Sequence, residues 1–307
     1  LVTKGMALRS LGRWEEVIEA GDDMVSRFGE TNVAELQEKV AWALVSKEVA
    51  LRSLVRMEEV VEVCDEVIQR FGEAKESALQ EHVAGALFNK WVALGALGRM
   101  EESMEICDEV VTRFGEAKEL TLREQVARAL LEKGVILGAL GKMEEETGVY
   151  DEVIRRFEKE TVPTMLEQVA KALVNKGVAL GSLGRSEEVI EICDEVIQRF
   201  QQETDVVLRE QVAKALVNKG VGLGILGRME ETMEVCDEVV SRFQEAEELE
   251  LQEQVARALV NKGVALDSLG RREETIAVYD EVVRRYKGEP ALHEQVDRAA
   301  ALREDLK

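Results

Sequence analysis

A single interval governs this chain. The string Cys193-Asp194-Glu195-Val196-Ile197-Gln198-Arg199-Phe200 recurs with conservative changes from Gly21, Cys64, Cys107, Tyr150, Cys236 and Tyr279, each start 43 residues after the last. A second string, ALVNKGVALGSLGR from Ala172 to Arg185, keeps the same step at Ala43, Ala86, Ala129, Ala215 and Ala258. A fixed period of this size is the mark of stacked supersecondary units. The register breaks once, near the end. There Glu294-Gln295-Val296 follows Glu253-Gln254-Val255 by 41 residues, so the last connection is two residues shorter.

Each repeat reads as a helical hairpin. In the fifth, Leu166, Val169, Ala170, Leu173, Gly177, Leu180 and Leu183 fall three and four residues apart, one face of a helix. Gly184 supplies the stop, because glycine enters the left-handed region without penalty. Glu187 and Glu188 then open a second helix at the positive end of its dipole. Its apolar set is Val189, Ile190, Ile192, Cys193, Val196, Ile197 and Phe200, with Arg199 in the last turn. Neither helix can bury its apolar face alone, so the hairpins must stack. The expected fold is all-α: an α-solenoid of seven 43-residue helix-turn-helix repeats and a final helix over 291–306. The repeats run over about 1–35, 36–78, 79–121, 122–164, 165–207, 208–250 and 251–290, as a single domain over 1–307.

Composition agrees with helices. Only 4% of the 307 residues are aromatic and two are proline, so the core must be aliphatic and long loops are disfavoured. No uncharged apolar run approaches the ~18 residues of a membrane span. The chain starts at Leu1, with neither an initiating Met nor the basic start of a secretory signal. A net charge of −22 repels nucleic acid and anionic membranes overall.

The repeat resembles the tetratricopeptide repeat, a helix-turn-helix module of roughly 34 residues. Aligned on the glycine, that family's Trp, Leu, Gly and Tyr positions fall on Leu173, Lys176, Gly177 and Leu180, and its Ala and Phe on Val189 and Cys193. The closing Pro has no counterpart. The nine extra residues look like an earlier start of the first helix, as in LREQVAKALV from Leu208 to Val217. In this the chain is similar to a longer, roughly 42-residue bacterial tetratricopeptide-like class. The resemblance implies a right-handed superhelix with first helices on the concave side, binding a protein or peptide there; a cytoplasmic place is expected from the chain's buried, unpaired cysteines, which suit a reducing compartment. The resemblance also implies a sensor or docking module of a larger bacterial signalling or defence protein. Leu1 aligns with Leu173, so the first helix lacks its opening residues, as in a piece trimmed from a longer chain.

Two repeats depart from the pattern. The close-approach glycine of Gly5, Gly134, Gly177, Gly220 and Gly263 is Glu48 in the second repeat and Trp91 in the third, and the turn glycine of the second is Val55. These repeats are expected to be distorted, or adapted to a ligand. Charge is also segregated. The seven second helices carry −24 together and six first helices +5, so the acids either solubilise the back or steer an acidic partner to the other face.

Candidate contact residues follow from what recurs and what breaks. Lys90, Lys133, Lys176, Lys219 and Lys262 form a column, with Lys4 and Lys47 before them. They could read carboxylates or phosphates, or lay their stems on apolar surface and pair with acids such as Asp194 or Glu195. Trp42 stands where other repeats have Arg128, Lys171, Lys214 and Arg257, and Trp91 and Phe88 break the third repeat. Aromatics dominate binding hot spots, so Trp42, Phe88 and Trp91 mark a ligand patch or a local repacking. A carboxylate clamp is not expected, because Val174 and Val178 occupy its positions. Cys64, Cys107, Cys193 and Cys236 share one repeat position, too far apart for disulfides and without zinc-ligand spacing, and read as buried small apolar residues. His82 and His293 read as surface residues.

No nucleophile motif, phosphate loop or metal motif is present, so neither an enzyme nor a cofactor is expected. The expected function is a non-enzymatic interaction scaffold. The alternatives are end-to-end self-assembly through open solenoid ends and, below it, an acidic ligand or nucleic acid in the weakly basic groove.

Overall fold

A computed structural model describes residues 2–306. Leu1, the residue aligned with Leu173, lies outside the described residues. The described residues divide into two compact units between Ile136 and Leu137, inside one helix.

In the first unit the helices are α1 (Val2–Ser10), α2 (Trp14–Phe28), α3 (Ala34–Ser53), α4 (Met57–Phe71), α5 (Ser77–Ala96) and α6 (Met100–Phe114). Helix α7 (Leu120–Ala139) carries the division. The second unit continues with α8 (Met143–Phe157), α9 (Pro163–Ser182), α10 (Ser186–Phe200), α11 (Val206–Ile225) and α12 (Met229–Phe243). It ends with α13 (Leu249–Ser268), α14 (Arg272–Tyr286), a 3₁₀ turn at Pro290–Leu292 and α15 (His293–Glu304). The described residues are helical throughout, an all-α helical repeat. No helix is long and apolar enough to cross a membrane.

The backbone period is as regular as the sequence period. Every second helix is 15 residues long and every first helix from α3 to α13 is 20, those from α5 to α13 beginning two residues before the first buried Leu or Met. Those opening residues face water and need only satisfied N–H groups. In α11 Asp205 supplies this, its carboxylate accepting from the N–H groups of Val207 at 2.9 Å and Leu208 at 3.1 Å.

The turn between the helices of a hairpin has one form. The N–H of Arg185 donates to the Leu180 carbonyl and that of Gly184 to the Gly181 carbonyl, each at 3.0 Å, with Gly184 at φ +73°. This is the Schellman arrangement, which closes the helix by a left-handed residue. Val55 is forced into the same place at φ +60°, the single positive-φ residue that is not glycine among those described. A β-branched side chain there is strained by about 1–2 kcal/mol.

Packing places the first helices at the centre of each stack. In the second unit α11 packs against α10 before it, α12 after it, and the first helices α9 and α13 on either side. In the first unit α3 likewise packs against α2, α4, α1 and α5. The buried layer is apolar and mostly aliphatic, with Val169, Ala170, Leu173 and Leu180 of α9 and Val189, Cys193, Val196 and Phe200 of α10, which pack together. Ile197, at the edge of that set, is only half-buried.

Arginines tie successive hairpins. Arg56, Arg99, Arg185 and Arg228, each following a turn, pair with the glutamate three residues on and reach back to Glu15, Glu58, Glu144 and Glu187 of the preceding second helix at 3.3–3.8 Å. The last-turn arginines cap instead. Arg70 donates to the Gly29 carbonyl at 3.0 Å, and Arg199 and Arg285 donate to those of Glu158 and Gln244. The orphan carbonyls at one second helix's end are thus closed by the next repeat.

Candidate partner-binding face

The lysine column is placed uniformly. Lys47, Lys90, Lys133, Lys176, Lys219 and Lys262 lie within 2.5–2.7 Å of Asp22, Asp65, Asp108, Asp151, Asp194 and Asp237. Each pair joins a first helix to the second helix of the preceding hairpin, so Asp194 serves Lys219 and not Lys176. The lysines are one-fifth to one-quarter exposed. Their stems lie on the hairpin and their charge is met within the chain.

The aromatic candidates separate into two places in the first unit. Phe88 and Trp91 meet edge to face on α5, ring centroids 4.9 Å apart, with the Arg128 guanidinium 5.9 Å above the Phe88 ring. Both rings are half-buried. Trp42 on α3 lies elsewhere, its ring filling the space over Gly5, where an added Cβ would stand 3.4 Å from it. Its outer edge joins Glu35, Glu38, Lys39 and His82 around a shallow cleft of about 370 Å³. His82 is therefore half-buried and not a surface residue, and this desolvation lowers its pKa below the ordinary histidine value. His293 is exposed, 3.3 Å from Asp297.

The two glycine replacements keep their helices intact, since α3 and α5 have the standard 20 residues. Glu48 is buried at 2% exposure, and burial raises its pKa. Asn89 donates to its Oε2 at 2.9 Å and Arg52 stands 3.6 Å from Oε1. The distortion expected of these repeats is confined to the strained φ of Val55.

The four thiols are free and buried. Desolvation pushes Cys107, Cys193 and Cys236 up to about 12 and Cys64 higher, so they stay neutral and unreactive. Among the described residues no group of His, Cys, Asp and Glu could hold a metal ion.

What first-helix sequences leave open is an aliphatic stripe. Val178, Val221 and Val264 of the second unit are 54, 42 and 40% exposed, and Val135 of the first 49%. Along the stripe lies an open cavity of about 390 Å³ between α11, α12, α13 and α15. Ile225 lines it at 67% exposure, and the equivalent positions hold Ser53, Ala96, Ala139, Ser182 and Ser268. That departure from Ser or Ala is itself a sequence signal of the opening.

Known proteins agree on the architecture. The tetratricopeptide repeat family matches residues 256–288, the α13–α14 hairpin. By fold, this is a tetratricopeptide-like repeat protein. BtubC (BKLC) from P. vanneervenii is similar with a TM-score of 0.57 at 14% identity, covering 75% of this chain and 88% of that one. The quorum sensor NprR from B. thuringiensis, in its apo form, gives 0.53 at 14% identity over 99% of this chain and 86% of its own. A tetratricopeptide repeat protein from Parabacteroides merdae gives 0.51 at 13% identity over 97% of each. No curated protein matches by sequence. At these identities the likeness is one of fold, and the tetratricopeptide-like hairpins here differ in the side chains they present.

Proposed function

We propose that this chain is a non-enzymatic interaction scaffold that takes a protein or peptide segment along the face lined by its first helices. The aliphatic stripe supports this reading. In the second unit an exposed valine recurs at Val178, Val221 and Val264, as Val135 does in the last first helix to begin in the first unit, although nothing in hairpin packing requires it. A polar residue would serve a solvated face better, and apolar positions left in register form a track for an extended chain. Chemistry is disfavoured by the thiols' neutrality and by lysines held in ion pairs. The role of a sensor or docking module of a larger bacterial protein accords with the fold it shares with the quorum sensor. The repeats 1–307 would act as one array, with Trp42, Phe88 and Trp91 supplying aromatic contacts in the first unit.

Panning a displayed random-peptide library against the chain tests the proposal. Enriched peptides are expected to lose at least ~tenfold in affinity on Val178→Asp or Val264→Asp, exposed changes that leave helicity intact. Peptides that bind these variants undiminished would place recognition away from the face and end this reading.

A further inference from the structure

The cavity between α11, α12, α13 and α15 differs from the rest of the stripe in its charges. The basic column of Lys171 and Lys214 continues through Arg257 to Arg298, which is shifted by the two-residue shortening before α15. The two lysines have acidic partners one turn back: Lys214 lies 2.6 Å from Glu210 and Lys171 3.8 Å from Glu167. The two arginines break this habit. Arg257 turns from Glu253 and donates to the Gln254 side-chain carbonyl at 3.2 Å, and Arg298 forms no ion pair among the described residues. Both line the cavity with Asn261, above a floor that includes Val221, Ile225 and Val264.

A chain of net charge −22 thus leaves two guanidiniums without acidic partners at one apolar opening. Guanidiniums favour planar carboxylates, which they bind through paired N–H groups. The volume falls in the range of pockets that enclose a few side chains.

We infer that this cavity holds an acidic peptide segment, with an Asp or Glu carboxylate between Arg257 and Arg298 and a neighbouring aliphatic side chain on Ile225. Asn261 is placed to bond the segment's backbone. The inference rests on the scaffold reading and narrows it to one end of the track and one ligand chemistry. Basic or purely apolar segments are excluded by the same two charges.

The test compares displayed-library selections on the wild type, on the Arg257→Gln/Arg298→Gln pair and on Ile225→Ser, which restores the residue of neighbouring repeats. Circular dichroism first checks that helicity is unchanged. The wild type should enrich peptides with Asp or Glu beside Leu, Ile or Val. Each variant should bind them at least ~tenfold more weakly, and replacing the acid by Lys should abolish binding. Enriched peptides without acids, or binding that survives both variants but not Val178→Asp, would overturn the cavity assignment and leave the scaffold standing. No enrichment at all would remove both. Self-association lost in the arginine pair would assign the cavity to a second copy of the chain and refute the peptide.

Discussion

Two hairpins of the second unit share a backbone and differ at one contact. In the α13–α14 hairpin, a Cβ added to Gly263 would penetrate the Tyr279 ring, with Cζ at 2.7 Å. In the α11–α12 hairpin, a Cβ on Gly220 would meet the Cys236 sulfur at 3.7 Å, an ordinary contact. The same glycine is therefore obligatory in one place and optional in the other, because a tyrosine or a cysteine faces it. The first unit shows the converse. There the repeats with Cys64 and Cys107 carry Glu48 and Trp91 in the glycine's place. In these three hairpins bulk stands on one helix of the pair or the other, whereas α9–α10, with Gly177 and Cys193, and α11–α12 have it on neither. Gly220 borders the open cavity.

The largest effect that sharpens this contrast is Gly263→Ala. It should lower stability by about 3 kcal/mol through overpacking against Tyr279, read by urea unfolding. Gly220→Ala should be neutral or raise stability by up to about 1 kcal/mol, the usual gain of alanine over glycine in a helix. Equal losses at both sites would break the comparison. Val55→Gly should add about 1 kcal/mol by relieving a left-handed valine, and a loss in thermal unfolding would mean that its side chain contributes packing.

A smaller effect depends on pH. Burial raises the Glu48 pKa above 4.5, so the fold favours the protonated acid. Its contribution is fully present below 4.5 and is lost as pH rises through the higher folded-state value. Glu48→Gln should then match the wild type near pH 4 and exceed it at neutral pH by up to about 1 kcal/mol. A gain that is constant with pH would show that ionisation of Glu48 has no part in it.

Much of this was legible beforehand, for identifiable reasons. The second helices start and stop where the sequence places them because acids, apolar offsets and the turn glycine all mark the same boundaries. First helices from α5 to α13 begin two residues before their buried face, because opening residues such as Leu120, Val206 and Leu249 are exposed and belong to no buried pattern. The lysine–aspartate pairs could be anticipated as chemistry but not as topology. A period of 43 does not say whether Lys219 meets an acid of its own hairpin or, as found, Asp194 of the one before. His82 reads as a surface residue, because no sequence signal shows that Trp42 of the preceding repeat stands beside it. The cavity stayed hidden for a related reason. Arg257 and Arg298 resemble their lysine counterparts in sequence, and only geometry shows that the lysines have acidic partners.

A double-mutant cycle on Gly263→Ala and Tyr279→Cys tests most directly whether bulk is exchanged between facing helices. The tyrosine change alone should destabilise by opening a void. In its presence Gly263→Ala should become nearly neutral, a coupling of about 2 kcal/mol or more. Additive losses would contradict the account, because the glycine would then be required by the backbone and not by the ring that faces it.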